Sequence, residues 1–213
     1  MKLQHEWIRR RGSSQAGHAI RRVRLSEENR NVKTEGRNVK IAAIGLFLLA
    51  GCVSQQKYDA LQTRYNQLNE TMSSEISSNQ MHIERLQDAI KVTVNGELLF
   101  PTGGWQMPST AQQTMSKMIP ILAPMQQTKI RVNGYTDNVP IGPDLVREGV
   151  TTNMILSQRR ADNVMNFTTS QGVNPNLVSA QGFGDADPVA PNDTPEGRAQ
   201  NRRVELVLAG SGN

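Results

Sequence analysis

From Lys129 to Tyr135 apolar and polar residues alternate, with Ile130, Val132 and Gly134 on one face and Arg131, Asn133 and Tyr135 on the other. That is the period of a half-buried strand, and it places Asp137 just past the strand's C-terminal end. From Asn153 the period lengthens, because Leu156, Val164 and Phe167 fall on one helical stripe. Arg160 lies on the same stripe, whereas Arg159 points about 100° away, where water can reach it. A guanidinium on a core-facing stripe costs several kcal/mol unless acceptors meet it. Asp137 or an incoming ligand carboxylate is the natural acceptor.

The same patterning predicts the flanking elements. Residues 55–90 contain no Gly or Pro and repeat apolar residues at Tyr58, Leu61, Tyr65, Leu68 and Met72. This heptad seam slips by one residue to Ile76 and continues through Asn79, Ile83, Leu86 and Ile90. The spacing predicts a helix over 55–90, either a short coiled coil that forms a homodimer or a single spacer of about 50 Å. From Lys91 to Phe100 the alternation of Val92, Val94 and Leu98 predicts strand, with Asn95-Gly96 marking a tight hairpin or a bend. Ala111, Met115, Met118 and Ile119 recur at helical spacing, the methionines as core filler, and Pro120 and Pro124 end or kink that helix near Ile119. Gly172 stops the helix that begins at Asn153, Leu177 to Gly182 reads as a short strand, and Val204, Leu206 and Leu208 alternate in a final one. Strands alternating with helices predict an α+β two-layer sandwich, helices over one face of a mixed sheet, preceded by a long helix.

Composition changes the picture only when the chain is divided. Residues 1–51 hold 11 of the 24 Lys and Arg and 4 of the 19 Asp and Glu, so the leader carries the basic charge and the remainder is slightly acidic. The high pI is therefore no argument for nucleic-acid binding. The run IAAIGLFLLAG before Cys52 is apolar, too short for the roughly 20 residues of a spanning helix, and preceded by Arg37 and Lys40. It reads as a signal-peptide core, and Leu49-Ala50-Gly51-Cys52 is similar to a bacterial lipobox, in which the cysteine becomes the lipidated N-terminus. Residues 52–54 then form the lipidated end and attach the protein to a membrane through Cys52. Cys52 is the only cysteine, so no internal disulfide is possible. Residues 1–38 are Arg-rich and longer than such a signal needs, which suggests a start at Val39.

Three ordered blocks resemble a known family: GYTDN, then N-x-x-LS-x-RRA, then GFGDADPVAPNDTPEGRAQNRRVEL. They are similar to the OmpA-like C-terminal domain, the module by which envelope proteins bind peptidoglycan, and the resemblance extends over about 91–213. The DNVPI sequence and the long segment before Asn153 are most similar to the MotB-type variant. The resemblance implies a βαβαβ fold and a non-enzymatic ligand site for the stem peptide of peptidoglycan at meso-diaminopimelate. On the family pattern Asp137 accepts from the ligand ammonium, Arg160 donates to a carboxylate, Thr136 and Asn153 fix orientation, and Leu156 walls the pocket. Val53 after the lipobox implies the outer membrane, with the domain facing the periplasm. No cofactor or metal is implied. Asp185, Asp187 and Glu196 have calcium-loop spacing, but Val189 and Ala190 occupy positions that want a carboxylate and a glycine, so ion pairs with Arg198, Arg202 and Arg203 are expected instead. Asp137, Asp144 and Glu148 could be imagined as the paired carboxylates of a glycan hydrolase, but no nucleophile with an attendant base accompanies them. If translation starts at Val39, proteomic analysis of the producing cell yields no peptide between Gly12 and Arg37; detecting one contradicts the start.

Overall fold

The computed structural model describes residues 55–210. The leader, the lipobox and Cys52 lie outside the described residues. Among the described residues no helix is long and apolar enough to cross a membrane.

Five strands, β1 (Met81–Arg85), β2 (Ala89–Asn95), β3 (Lys129–Gly134), β4 (Val178–Gly182) and β5 (Arg203–Ala209), form one sheet in the order β1-β2-β5-β3-β4. Only β3 and β4 run parallel; the other pairings are antiparallel, so the sheet is mixed. The parallel pair is joined by the long helix α7 (Asn153–Ser170), which crosses over the sheet. The inward faces of the strands alternate as the sequence predicts: Val92 and Val94, Ile130 and Val132, and Val204, Leu206 and Leu208 are each at most 2% exposed. Ala161 and Val164 of α7 complete the core over the β3–β4 half, so the fold is the expected two-layer α+β sandwich.

The remaining helices are α1 (residues 55–71), α2 (Ser73–Ser77), α3 (Gly96–Leu99), α4 (Ser109–Ser116), α5 (Ile119–Leu122), α6 (Pro143–Arg147) and α8 (Pro195–Asn201). Met115 and Met118 are buried filler, as expected. Pro120 sits in the first turn of α5, where its missing N–H costs nothing, and the break between α4 and α5 falls just before it. Gly172 takes a φ of +101° beyond the end of α7.

Two expectations fail, each for an identifiable reason. The stretch 55–90 is not one helix. α1 breaks at Met72, the position where the seam slips, and α2 ends at Ser77; Asn79 then turns the chain with a φ of +56°, a left-handed conformation that Asn tolerates better than most residues. The chain continues as β1, paired with β2 from Met81↔Val94 to Arg85↔Ile90. Short apolar runs fit helix and strand alike, and the period-two burial of Met81 and Ile83 decides between them only once β2 is available as a partner. The seam itself is buried within the chain: Leu68 and Met72 belong to the core, with Leu61, Tyr65 and Ile76 packed against it, and Arg64 donates to the Ile121 carbonyl at 3.1 Å. A coiled-coil homodimer through 55–90 would need these same side chains. The domain therefore begins well before residue 91.

Asn95-Gly96, in turn, is neither a hairpin nor a bend. The Asn95 side chain accepts from Glu97 N–H at 2.9 Å and caps α3, whose turn packs beside the start of β5. The polar stretch 185–203 contains α8. Thr194 caps it and Pro195 opens it, a start signal present in the sequence.

Leu68→Asp places a charge in this core and is expected to lower the unfolding free energy by about 3–5 kcal/mol. Chemical denaturation at several protein concentrations checks it: burial within one chain gives a loss independent of concentration, burial between copies does not.

Candidate functional site

Helix α7 lies unusually close to the sheet because two glycines face it. A Cβ on Gly134 would stand 2.3 Å from the Ser157 carbonyl oxygen, and one on Gly182 would stand 2.4 Å from the Gln158 nitrogen. Polar ties reinforce the contact: Gly182 N–H donates to Gln158 Oε1 at 2.7 Å and Gly184 N–H to Ser157 Oγ at 2.8 Å. Arg160, one turn along α7, is thereby brought to the strand ends, where Thr136 and Asp137 follow β3. Thr136 N–H donates to the Gly184 carbonyl at 2.7 Å and Tyr135 N–H to that of Arg203 at 2.9 Å, so this segment is held on both sides.

All five residues expected at the site, Thr136, Asp137, Asn153, Leu156 and Arg160, line one cleft of about 1040 Å³. Their roles differ in detail from a simple Asp–Arg pair. Asp137 does not meet Arg160. Its Oδ2 accepts from Arg202 Nη1 at 2.8 Å and its Oδ1 from Val139 N–H at 3.1 Å. An ionised carboxylate offers about four lone-pair positions, so Asp137 retains capacity for a further donor. Asn153 is occupied with the backbone: its Nδ2 donates to the carbonyls of Asp137 and Val139, at 3.2 and 3.1 Å, fixing the start of the 139–152 insertion. The insertion, including α6, lines one side of the cleft without filling it. Thr136 Oγ1 is buried with no partner in the protein.

Arg160 is 6% exposed, as its place on the core stripe predicts. Its Nε donates to the Gly104 carbonyl at 2.9 Å and its guanidinium lies 5.3 Å from the centre of the Phe100 ring. Among the described residues no carboxylate meets it within ion-pair distance. Burial, and then repulsion from Arg202, pull its pKa down to about 10, against the attraction of Asp137; it remains a cation at neutral pH. The buried Arg160 guanidinium lacks an anionic partner whereas the Asp137 carboxylate is already paired with the Arg202 cation, so the cleft can offer Arg160 to an incoming anion.

Arg202 is the site residue that sequence reasoning missed. It was expected, with Arg198 and Arg203, to pair with Asp185, Asp187 and Glu196, and none of those pairs forms. Arg203 pairs instead with Glu205 at 2.8 Å, and Arg198 donates to the Asn192 carbonyl at 2.9 Å. Arg202 bridges Asp137 and Glu97, and these carboxylates hold its pKa above the ordinary value against the opposing effect of burial. The reason is register. β3 and β5 pair through Gly134↔Val204, and two steps further Thr136 stands opposite Arg202, while β2–β5 pairing at Asn95↔Arg203 sets Glu97 on its other side. The carboxylates considered for hydrolysis, Asp137, Asp144 and Glu148, all line the cleft, but Asp137 is paired with Arg202 and the exposed Asp144 with Arg147 of α6.

Residues 99–202 match the OmpA family. That stretch is an OmpA-like domain. Its curated relatives include the probable lipoprotein YiaD of Escherichia coli, 35% identical over 127 residues that make up 60% of this chain and 54% of the relative. The peptidoglycan-binding protein ArfA of Mycobacterium tuberculosis is 33% identical over 58% of this chain and 35% of its own. The chain thus spans about half or less of the length of these relatives. Among solved structures, a putative MotB-like protein from Desulfovibrio vulgaris superposes with a TM-score of 0.66 at 25% identity, covering 76% of this chain and 98% of that one. The cell wall anchor of the type VI secretion system from Pseudomonas aeruginosa gives 0.62 at 28% identity, covering 68% and 97%. The OmpA-family fold and the MotB-like resemblance read from the sequence are both upheld.

The two arginines predict opposite stability effects in the absence of ligand. Arg160→Leu removes a buried cation without an anion and is expected to stabilise the OmpA-family domain by about 1–3 kcal/mol. Arg202→Ala strips Asp137 and Glu97 of their partner and is expected to cost about 1.5–3 kcal/mol. Urea denaturation of the two variants beside the wild type checks both signs.

Proposed function

We propose that the protein is a non-enzymatic cell-envelope lipoprotein that tethers the outer membrane to peptidoglycan. Its domain binds the diaminopimelate stem peptide, with Asp137 accepting from the ligand ammonium and Arg160 donating to a carboxylate. The observation that carries this reading is the buried Arg160 guanidinium, without an anionic partner, in the cleft that also holds Asp137. Arg202 orients the Asp137 carboxylate, Thr136 supplies an uncommitted hydroxyl, and Leu156 gives the apolar wall. The relatives named as a probable lipoprotein and as a peptidoglycan-binding protein support the same assignment.

Charge-assisted hydrogen bonds contribute roughly 1.5–3 kcal/mol each, so two of them with some apolar contact hold a single stem peptide only modestly. A polymeric ligand and a membrane anchor raise the effective concentration and convert weak sites into a firm tether. Acyl chains on Cys52 supply the anchor at about 0.8 kcal/mol per buried methylene, with the domain in the periplasm. A second reading is favoured by the likeness to the cell wall anchor of a secretion system. In that reading the chain is an accessory lipoprotein of a motility or secretion complex and uses the same cleft to fix the machine to the wall.

Co-sedimentation with purified peptidoglycan sacculi tests the shared claim. Residues 53–213 are expected to pellet with sacculi, while folded Asp137→Ala and Arg160→Ala variants, checked by circular dichroism, lose at least tenfold in the bound fraction's affinity, as loss of one charge-assisted contact implies. A wild-type fragment that stays in solution overturns the reading.

A further inference from the structure

Trp105 stands in the loop between α3 and α4, is only partly buried, and lines the same cleft as Asp137 and Arg160. Trp105 thus presents part of an aromatic ring to the cleft that holds Asp137 and Arg160, where it can meet a ligand. The loop that carries it is anchored with care. Gly104, its neighbour, accepts from Arg160 Nε at 2.9 Å, and Met107 N–H donates to Asn163 Oδ1 at 3.0 Å, so both sides of Trp105 are tied to α7. The ring itself is braced from one face: the Arg159 guanidinium lies 4.8 Å from its centre, and Arg159 in turn donates to the carbonyls of Glu148 and Gly149 at the end of the insertion. Arg159 thus has a task on the face of α7 where the sequence suggests only solvation.

We propose that Trp105 is a stacking platform for a sugar ring of the glycan strand, forming a second subsite beside the one that holds the stem peptide. The inference rests on the reading of the cleft as a peptidoglycan site and names what else of that ligand it holds. Size supports it, since a cleft of about 1040 Å³ slightly exceeds the roughly 300–1,000 Å³ typical of sites for a whole drug-sized ligand, more than one diamino acid fills. Chemistry supports it too. The C–H-rich face of a pyranose carries weak positive charge and packs on the negative face of an indole, and a cation on the opposite face, here Arg159, leaves one face of the ring for this purpose. Reach is consistent: a diaminopimelate at the third position of a stem is separated from its sugar by about 10 Å of extended chain. The backbone of Trp105 is bonded to Gly104, which already touches Arg160, so the ring falls within that span. Trp105, braced by Arg159 from behind and tied to Arg160 through the Gly104 carbonyl, therefore joins the two halves of the ligand into one binding surface.

Isothermal titration of the full chain in detergent with two probes tests this: a disaccharide-tetrapeptide muropeptide, and the same tetrapeptide without sugars. The wild type is expected to bind the muropeptide about five- to tenfold more tightly than the bare peptide. Trp105→Ala is expected to abolish that difference while changing the bare-peptide affinity less than twofold, and Trp105→Phe to retain part of it. Equal binding of both probes by the wild type overturns the sugar subsite alone and needs no variant to fold. Absence of binding to either probe overturns the stem-peptide reading as well. A sugar increment that survives in folded Trp105→Ala places the subsite elsewhere and also overturns the proposal.

Discussion

The close seating of α7 on the β3–β4 pair is the constraint on which the remaining structure depends. Gly134 and Gly182 have no Cβ, so the backbone of α7 at Ser157 and Gln158 approaches the strands more closely than any side chain would permit. One turn later this proximity delivers Arg160 to the end of the sheet, where Thr136 and Asp137 follow β3. A helix held a further ångström or two away would leave the guanidinium short of the Gly104 carbonyl and separated from the cleft. The tight packing of protein interiors makes such a shift costly, so the glycine pair fixes the functional geometry from beneath.

The site built on that platform is electrostatically uneven. Arg202 is satisfied by two carboxylates, Asp137 is satisfied by Arg202 and a backbone amide, and Arg160 has only a carbonyl and an aromatic face. The uneven satisfaction matters because an isolated buried cation raises the free energy of the empty protein and lowers that of a complex that supplies an anion. A direct Asp137–Arg160 lock would have satisfied both groups internally and left nothing for a ligand. Asp137 instead pairs with Arg202. The domain accepts a local loss of stability here, and the broad apolar core formed by all five strands and by α1 compensates for it.

The long N-terminal helix has a different place in the molecule from the one its heptad pattern suggests. Leu68 and Met72 are fully buried against the domain, and β1 adds an edge strand beyond the βαβαβ unit. What reads as a spacer is therefore partly a wall of the core. The first part of α1, residues 55–60, is exposed, and there Tyr58 meets the domain only at its surface, with the Arg85 guanidinium 4.1 Å from its ring centre.

Much of this was decided by the sequence alone. The period-two runs at 129–135 and 204–208, the helical stripe through Leu156, Arg160 and Val164, and the punctuation at Pro120 and Gly172 are local signals, and local sterics and burial suffice to interpret them. Those signals placed Asp137 past a strand end and Arg160 on a buried face before any fold was known, while the roles expected of them came only from the family resemblance. The Thr194-Pro195 helix start was equally present and simply outweighed by the polar composition around it. Other features could be decided only by tertiary structure. Whether residues 81–85 extend a helix or form a strand depended on the free edge of β2, which offers backbone partners that no sequence window contains. Whether the Leu61 to Met72 seam faced a second chain or its own domain depended on where the core lay open. The pairing of Arg202 with Asp137 depended on strand register between segments 65 residues apart. Periodicity reports which side of an element is buried; it carries no information about which distant element buries it.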